Sequence, residues 1–422
     1  MESSTGVEEP AAVEWAPGNS LASERHKNWK HVDSFAPPPE YIEAMKAAGT
    51  PITATGPYIP EDLPFVKPGS RIDHGIIFGP EMPSKGSPGF DAQFNPTAFK
   101  AIDPEDGKEK VFMVIRGEIN LPATSKWKRK SLPYLAVSED GIHFKRVSND
   151  PWFDVTLRSF EDPGGIEDCR YADLRLKPYV DPKTGKSYDG AIMYTGFDGK
   201  TARVGLAVFN HSDPYKIHKI GLVFKEKKSR KEWIKSDVHL QYYTFGPNGG
   251  KKIVNLMIVG EGNIKHDGIH AITSKKPLEV QWPDKNKPFS IVAKPGTVTE
   301  GLVEPAFRPY LTELPAWLQK KTGLKNGVVV VFHGDAPPLG YVMKYAILDP
   351  QHPERKPVYE ATAPFNWQTT VPTFEQVQKV HFGSGSEVVG NRFFIYYGIG
   401  DSYIGAVSYE LNGLLLDPSV AH

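Results

Sequence analysis

A repeated pattern of strand, polar turn and strand is the feature that most limits how this chain can fold. Five short apolar segments lead into glycine-containing turns, at residues 111–115, 191–195, 253–259, 328–332 and 393–397. Four of them are followed by a second apolar segment, at residues 204–208, 268–272, 341–347 and 403–407. The repeats lie about 65–80 residues apart, which is compatible with propeller blades that carry loop insertions.

Five occurrences of the pattern predict an all-β chain folded as a five-bladed β-propeller. We expect residues 76–422 to form the propeller and residues 1–75 to form an N-terminal extension that packs on it. The 39 glycines and 38 prolines interrupt helices, and only two short helices are predicted, at residues 39–48 and 314–325. The hairpin pattern alone leaves open a pair of β-sandwiches, in which the turns of the repeat would never meet.

In a propeller, the turns that follow the first strand of each blade lie near a common axis. The polar residues at these turns should then line one central funnel. They are Arg116, Glu118, Asp198, Glu261, His333 and Asp401.

The composition excludes several classes of protein. With 50 basic and 50 acidic residues the chain has no basic excess, so we expect no nucleic-acid partner. No apolar run approaches the roughly 18 residues that span a bilayer, and the acidic N-terminus lacks the apolar segment of a secretory signal. We therefore expect a cytoplasmic protein with no membrane partner.

No metal or cofactor is predicted. The single cysteine, Cys169, excludes an internal disulfide and a cysteine-built zinc site. His266 and His270 are four residues apart, but Gly268 lies between them in a predicted strand, which disfavours a helical zinc pair. No glycine-rich phosphate loop precedes a helix, so no nucleotide cofactor is expected.

Carboxylates are the remaining candidates for chemistry. Asp168 stands beside Arg170, and burial against a fixed positive charge could make it a general acid. The alternative for this pair is a salt bridge within a turn. Glu261, Glu300 and Glu304 are further candidate catalytic acids or bases. Inverting sugar hydrolysis needs two carboxyl groups roughly 6.5–9.5 Å apart, with room for water between them, and a funnel could supply that arrangement.

The order of several short motifs resembles glycoside hydrolase family 130. These motifs are Phe94-Asn-Pro96, Arg116-x-Glu118, Glu167-Asp-x-Arg170, Tyr194-Thr-Gly196, Phe332-His-Gly334 and the segments 138–144, 346–350 and 396–401. The resemblance covers about residues 95–407. It implies a five-bladed propeller that cleaves β-mannosides by hydrolysis or phosphorolysis. The β-1,2-mannosyltransferase/phosphorylases of glycosyltransferase family 108 look similar.

The resemblance also implies roles for individual residues. Asp168 would be the catalytic acid, and Cys169 replaces the proline that usually follows it. The acid of this family is thought to protonate the glycosidic oxygen through a hydroxyl of the bound mannose. The residues implied to hold or flank the sugar, or retained as further substrate-binding candidates, are Asn95, Arg116, Glu118, Arg170, Lys235, His333, Phe382 and Asp401.

The second reactant separates two reaction types. Phosphorylases of the family bind phosphate with basic and amide side chains, whose places fall here at residues 235–236, near Glu261 and near residues 300–304. Two of these places hold carboxylates, which would repel phosphate and could activate water. The sequence therefore favours an inverting β-mannosidase acting on β-1,2-linked manno-oligosaccharides. A homo-oligomer is compatible with the sequence, because the N-terminal extension could pack on a neighbouring copy.

Two other functions remain open. Phosphorolysis or mannosyl transfer is supported by Lys235, Arg308 and His333, which could bind phosphate, mannose 1-phosphate or a nucleotide sugar. A propeller that only binds glycans or proteins is the third hypothesis.

Overall fold

The computed structural model describes residues 63–81, 89–121, 129–223, 237–246, 253–262, 268–278, 291–292, 303–335, 341–361, 380–413 and 415–416. The predicted helix at residues 39–48 and most of the predicted N-terminal extension, residues 1–75, lie outside these ranges. The boundary between extension and propeller therefore stays a prediction.

The described residues are almost entirely β-strand, as predicted. The elements up to residue 222 are β1 (Ile72–Phe78), β2 (Ala92–Ile102), β3 (Glu109–Asn120), β4 (Arg129–Ser138), β5 (Lys145–Arg146), β6 (Gly165–Asp173), β7 (Tyr179–Val180), β8 (Ser187–Tyr188), β9 (Gly190–Phe197), β10 (Ala202–Asn210) and β11 (Asp213–Leu222). The remaining elements are β12 (Asp237–Phe245), β13 (Val254–Gly262), β14 (Gly268–Ser274), β15 (Ile291–Val292), β16 (Val303–Pro305), β17 (Tyr310–Glu313), α1 (Ala316–Thr322), β18 (Asn326–Asp335), β19 (Tyr341–Leu348), β20 (Tyr359–Glu360), β21 (His381–Val389), β22 (Arg392–Ile399) and β23 (Tyr403–Glu410).

The strands form antiparallel sheets that follow the chain. Three sheets have the orders β1-β23-β22-β21, β12-β13-β14-β15 and β16-β18-β19-β20, the last with β17 also paired to β18. A larger sheet has the order β11-β10-β9-β6-β4-β3-β2, with β5 paired to β4. Its two halves are joined between β4 and β6 by one parallel pair, Ser131 with Gly165. The short strands β7 and β8 pair with each other.

The predicted hairpins are confirmed, but their place in the sheets differs from the prediction. The segments taken as the first strand of each repeat are β3, β9, β13, β18 and β22, and each is the second strand of its group. A preceding strand that the apolar pattern did not reveal lies beside each of them. These preceding strands are β2, β6, β12, β16 and β21.

The helix predicted within residues 314–325 is confirmed as α1. It begins after Pro315 and ends at Gly323, whose φ of 75° is the left-handed conformation that commonly ends helices. Lys320 and Lys321 lie in its last turn, where positive charge stabilises the helix dipole.

The buried apolar side chains lie between successive strand groups. In one cluster Met113 of β3 packs with Phe394 of β22, and in another Ile258 of β13 packs with Val328 of β18. Further clusters join β3 to β6 and β9, β9 and β10 to β13, and β18 and β19 to β22 and β23. Burial of such side chains contributes roughly 1.5–3 kcal/mol each, so the packing of one group on the next is the main source of stability.

The edge strands of these groups contact one another. The strand β2 contacts β6 and β21, while β12 contacts β6 and β16. Strands that are far apart in the sequence therefore bring their polar residues to one region. This placement is what positions the candidate site.

A buried charge cluster ties three of the groups together. The guanidinium of Arg308, between β16 and β17, lies 3.3 Å from a carboxylate oxygen of Asp173 in β6 and 3.3 Å from one of Glu387 in β21. The three side chains are 2%, 9% and 1% exposed, so these charges are almost fully removed from water. Burial alone would raise the pKa of Asp173, but Arg175 and Arg308 outweigh it and lower this pKa to about 2.

Candidate functional site

The Asp168 carboxylate lies at the centre of the candidate site. Asn95 Nδ2 donates to its Oδ1 at 2.9 Å, and Arg116 Nη1 donates to the same oxygen at 3.0 Å. The Asp168 side chain is 14% exposed, so it is largely shielded yet still reaches solvent. The structure thus brings together the residue that the family resemblance suggests as catalytic acid, Asp168, and two that it suggests as sugar ligands, Asn95 and Arg116.

The backbone has a positive φ angle at three separate places in the site, in β2, in β6 and in the turn after β22. Asn95, Asp168 and Asp401 have positive φ values of 44°, 45° and 50°. Among the described non-glycine residues only Arg158 and Leu278 share this feature. Asparagine and aspartate tolerate the left-handed region better than other side chains, and such strained positions concentrate at functional sites.

Bulges in the edge strands aim these side chains. The pairing of β2 with β3 shifts register between Phe94 and Thr97, around Asn95. The pairing of β6 with β9 shifts between Glu167 and Arg170, around Asp168. A bulge reorients the side chain at the extra residue, which is why bulges recur beside active sites.

Close approach of β22 to β2 requires glycine at position 398. A Cβ atom at Gly398 would lie 2.2 Å from Asn95 Oδ1. The turn after β22 is also tied to β2, because the backbone N–H of Gln93 donates to the carbonyl of Ser402 at 3.2 Å. These contacts bring Asp401, the residue before Ser402, to the same end of β2 as Asn95.

The Arg116 guanidinium is fixed by contacts from several side chains. Its Nη2 lies 3.0 Å from Glu167 Oε1, its Nε donates to Ser131 Oγ at 3.0 Å, and its guanidinium lies 4.6 Å from the centre of the Phe94 ring. Burial disfavours its charge, but Glu167 and Asp168 outweigh burial and raise the pKa of Arg116 above its ordinary value. Arg116 is therefore a fixed cation that orients Asp168.

A second group of side chains lies around Arg170. Arg170 is 1% exposed, and its guanidinium lies 5.4 Å from the centre of the Phe382 ring. Burial lowers the pKa of Arg170, and the charges of Asp168 and Glu304 oppose this effect. The charges of both carboxylates therefore favour the charged form of one guanidinium, which relates Glu304 electrostatically to the Asp168 site.

Glu304 and His333 form a buried pair. They are directly opposite each other on β16 and β18, and His333 Nε2 lies 3.1 Å from Glu304 Oε2. The His333 ring centre is 3.9 Å from that of Phe382 and 5.6 Å from that of Tyr341. Burial, assisted by the charge of Arg170, lowers the pKa of His333 to about 3, so the imidazole is neutral at neutral pH.

Asp401 has the shifted acidity expected of a carboxyl group that can exchange a proton near neutral pH. Burial, together with the charges of Asp168 and Glu118, raises the pKa of Asp401 to about 6, although Arg116 acts against this. Perturbed carboxyl groups of this kind are typical of functional sites.

We predict that Asp401→Asn stabilises the protein more at pH 7.5 than at pH 5. Because the pKa of Asp401 is raised on folding, its stability contribution is present at low pH and is lost as pH rises through about 6. Part of this contribution is already lost at pH 5, so the gain for the variant should grow by about 1–1.5 kcal/mol between these two pH values. Urea unfolding measures this change. Asp150→Asn, an exposed site, is the control, and equal gains at both pH values would contradict the prediction.

Other predicted residues are placed less centrally or cannot be described. Glu118 follows Arg116 by two residues in β3 and pairs with Arg129 at 3.2 Å. Asp198 accepts hydrogen bonds from the backbone of its own turn, at residues 200 and 201. The backbone of Glu261 lies in β13, whereas Lys235 and Glu300 lie outside the described residues.

Arg308 was retained as a possible phosphate ligand, and its contacts argue against that role. Its guanidinium lies against Asp173 and Glu387 in the buried charge cluster. Two carboxylates already compensate its charge there.

Sequence reasoning missed several residues that build the site. Ser131 and Glu167 fix Arg116, and Tyr341 packs edge-on against both Phe382 and His333. Glu167 was visible as the neighbour of Asp168. Nothing in the sequence pattern singled out Ser131, because it contacts Arg116 from the neighbouring strand, β4.

The described ranges contain no group of three or more histidine, cysteine, aspartate or glutamate side chains arranged to hold a metal ion. His270 of the predicted histidine pair is buried, which lowers its pKa to about 4, and His266 lies outside those ranges. Within the same part of the chain, no helix has the length and apolar character to cross a membrane.

No protein-family model matches the chain, and no curated protein matches it. Solved structures do match. A glycosyl hydrolase from Bacteroides ovatus is 20% identical with a TM-score of 0.57, covering 82% of this chain and 93% of its own. A proposed glycoside hydrolase from Parabacteroides distasonis is 22% identical with a TM-score of 0.57, covering 82% and 96%.

A third similar structure is one described for the GH130 family of mannoside phosphorylases, which contains glycoside hydrolases that target β-1,2 mannosidic linkages in Candida mannan. It is 21% identical with a TM-score of 0.57, and the match covers 84% of this chain and 96% of the other. At these identities the likeness establishes a shared fold.

Proposed function

We propose that the protein is an inverting glycosidase that hydrolyses β-mannosides. The observation that carries this proposal is the Asp168 carboxylate, fixed by Asn95 and Arg116 in a largely shielded position. A second carboxylate, Glu304, is also buried, and its charge favours the charged form of Arg170, as that of Asp168 does. Two carboxyl groups around one sugar are what inverting hydrolysis requires.

Hydrolysis is favoured over phosphorolysis by the charge state of the site. His333 is neutral at neutral pH, so it offers no positive charge to a phosphate dianion. Arg308 is already paired with two carboxylates. Glu304 adds a negative charge in the wall where the resemblance places a phosphate-binding lysine, and like charges repel.

The described charged side chains around Asp168 and Arg170 also favour hydrolysis. They are the carboxyl groups of Glu118, Glu167, Asp168, Glu304 and Asp401 and the guanidinium groups of Arg116, Arg129 and Arg170. Among these described side chains, carboxyl groups outnumber guanidinium groups. A field of this sign lowers the local concentration of phosphate but not that of a neutral oligosaccharide.

Each residue then has a role in the reaction. Asn95, Arg116 and Asp401 hold the non-reducing mannose. Asp168, whose Oδ1 accepts from Asn95 and Arg116, is the acid whose proton reaches the glycosidic oxygen through a mannose hydroxyl. Glu304 takes a proton from water on the opposite face of the sugar. Glu261 and Glu300 stay candidate bases, and Lys235 stays a candidate ligand.

The linkage and the propeller are part of the proposal. The fold shared with the GH130 structure supports a β-1,2-linked manno-oligosaccharide as substrate. Five strand groups with apolar clusters between successive groups, the last joined to the first through β3 and β22, support five blades around one axis. Closure through β1, which pairs with β23, fits this arrangement.

Product analysis tests the proposed reaction. Purified protein is incubated with β-1,2-mannobiose, with and without phosphate, and the products are followed by proton NMR. We expect mannose to be released at equal rates under both conditions, with the α-anomer appearing first because the configuration is inverted. Formation of mannose 1-phosphate that depends on added phosphate would show a phosphorylase, and no turnover at all would favour a binding protein.

A further inference from the structure

We propose that His333 is a positioning residue that orients the Glu304 carboxylate, rather than a ligand of the sugar or of phosphate. This inference rests on the proposed function for the role of Glu304 as base. It assigns to His333 a task different from the substrate binding expected from the sequence.

The backbone sets the pair in place. Glu304 and His333 are paired across β16 and β18, in the register Val303–Gly334, Glu304–His333 and Pro305–Phe332. Cross-strand partners in direct opposition hold their side chains at a nearly fixed separation. The contact between His333 Nε2 and Glu304 Oε2, at 3.1 Å, is therefore built into the sheet.

The proton on the imidazole follows from its surroundings. A carboxylate can only accept, so Nε2 must carry the hydrogen that Glu304 receives. A second proton on His333 is disfavoured because its side chain is 0% exposed and Arg170 already supplies a positive charge nearby. The charge of Asp168 and a contact with the backbone of Gly383 act in the opposite direction without restoring the charge.

Aromatic packing fixes the ring itself. The Phe382 ring is tilted at 49° to the imidazole, with centres 3.9 Å apart, and the Tyr341 ring meets it edge-on at 5.6 Å. These neighbours leave the imidazole little room to rotate. A rigid, neutral donor fixes one oxygen of Glu304 and leaves the carboxylate negatively charged. A charged, oriented carboxylate is what a base needs in order to take a proton from water.

His333→Phe tests this inference, because phenylalanine keeps a flat ring but has no donor. Loss of a hydrogen bond to the charged form raises the pKa of a carboxyl group. We expect kcat to fall by about 10- to 100-fold with little change in KM, and the acidic limb of the pH profile of kcat/KM to move to higher pH. His333→Gln, whose amide can donate from a similar position, should recover most of the rate and the original pH profile.

The outcomes separate this inference from the proposed function. If wild-type protein releases mannose and His333→Phe keeps its kcat and pH profile, the positioning role is overturned. A large rise in KM with kcat unchanged would also overturn it, because it would show a substrate ligand. If wild-type protein releases no mannose, the proposed function itself fails.

A measurement on the wild-type protein covers the case in which the variants do not fold. Nitrogen-15 NMR of histidine-labelled protein distinguishes neutral from charged imidazole and reports which nitrogen carries the proton. We expect the His333 imidazole, assigned by its through-bond connection to the backbone, to be neutral, protonated at Nε2 and unchanged between about pH 5 and pH 8. A His333 imidazole that is charged, or that carries its proton at Nδ1, would overturn the inference.

Discussion

Replacing Asp168 by asparagine should lower the rate of mannoside hydrolysis by about 10²–10⁴-fold and leave the fold intact, because a positioned general acid contributes a factor of this size. The amide has nearly the same shape as the carboxyl group, but it cannot give up a proton as an acid. Asparagine also tolerates the φ of 45° at this position. Initial rates with β-1,2-mannobiose and circular dichroism of the folded variant measure the two effects.

The matched control for this variant is Asp150→Asn, which makes the same chemical change at an exposed site. Its rate should equal that of the unchanged protein. If Asp168→Asn retained more than a tenth of the activity, Asp168 could not be the acid, even if the residues around it bind sugar.

Replacing Arg308 by alanine should destabilise the protein by about 3–5 kcal/mol, because it removes the cation that lies against the buried Glu387 carboxylate. Glu387 is 1% exposed, so water cannot readily solvate its charge, whereas Asp173 keeps its ion pair with Arg175 at 2.6 Å. The cluster joins three places in the fold: β6, the segment between β16 and β17, and β21. Loss of the Arg308 guanidinium should therefore weaken contacts among three strand groups at once. The free energy of unfolding in urea is the quantity to measure.

Lys216→Ala is the control for the Arg308 variant. Lys216 Nζ lies 2.6 Å from Asp213, but the lysine side chain is 87% exposed. Exposed ion pairs contribute about 0–1 kcal/mol, so this variant should be nearly as stable as the original protein. Comparable losses in the two variants would show that the buried cluster has no special role in stability.

The hairpins could be predicted from the sequence because their strands are buried on both faces. The four predicted strand pairs became β9 with β10, β13 with β14, β18 with β19 and β22 with β23. Runs such as residues 328–332 are apolar because neighbouring sheets cover both of their faces. The short helix predicted within residues 314–325 is α1, which buries Leu318.

The edge strands could not be found from apolar patterns. The strand β6 has the sequence GIEDCRYAD and β21 has HFGSGSEVV, and both bury polar or small residues. A strand whose role is to present polar groups lacks the apolar alternation by which strands are recognised. The detected strands therefore carry Arg116 and His333, whereas Asn95, Asp168 and Glu304 lie one strand away, on β2, β6 and β16.

Two properties of the site depend on three-dimensional structure alone. The left-handed backbone at Asn95, Asp168 and Asp401 is not marked by glycine, so the sequence gives no sign of it. The pairing of Glu304 with His333 depends on strand register, which the distance of 29 residues between them does not reveal. Family resemblance supplied Asn95 and Phe382, which no pattern in the residues would have selected.

A crystal structure of Asp168→Asn with β-1,2-mannobiose tests the central claim most directly. We expect the non-reducing mannose beside residue 168, in contact with Asn95, Arg116 and Asp401, and a water molecule between the sugar and Glu304. A disaccharide bound away from these residues, or residue 168 pointing to bulk solvent with no sugar beside it, would contradict the account.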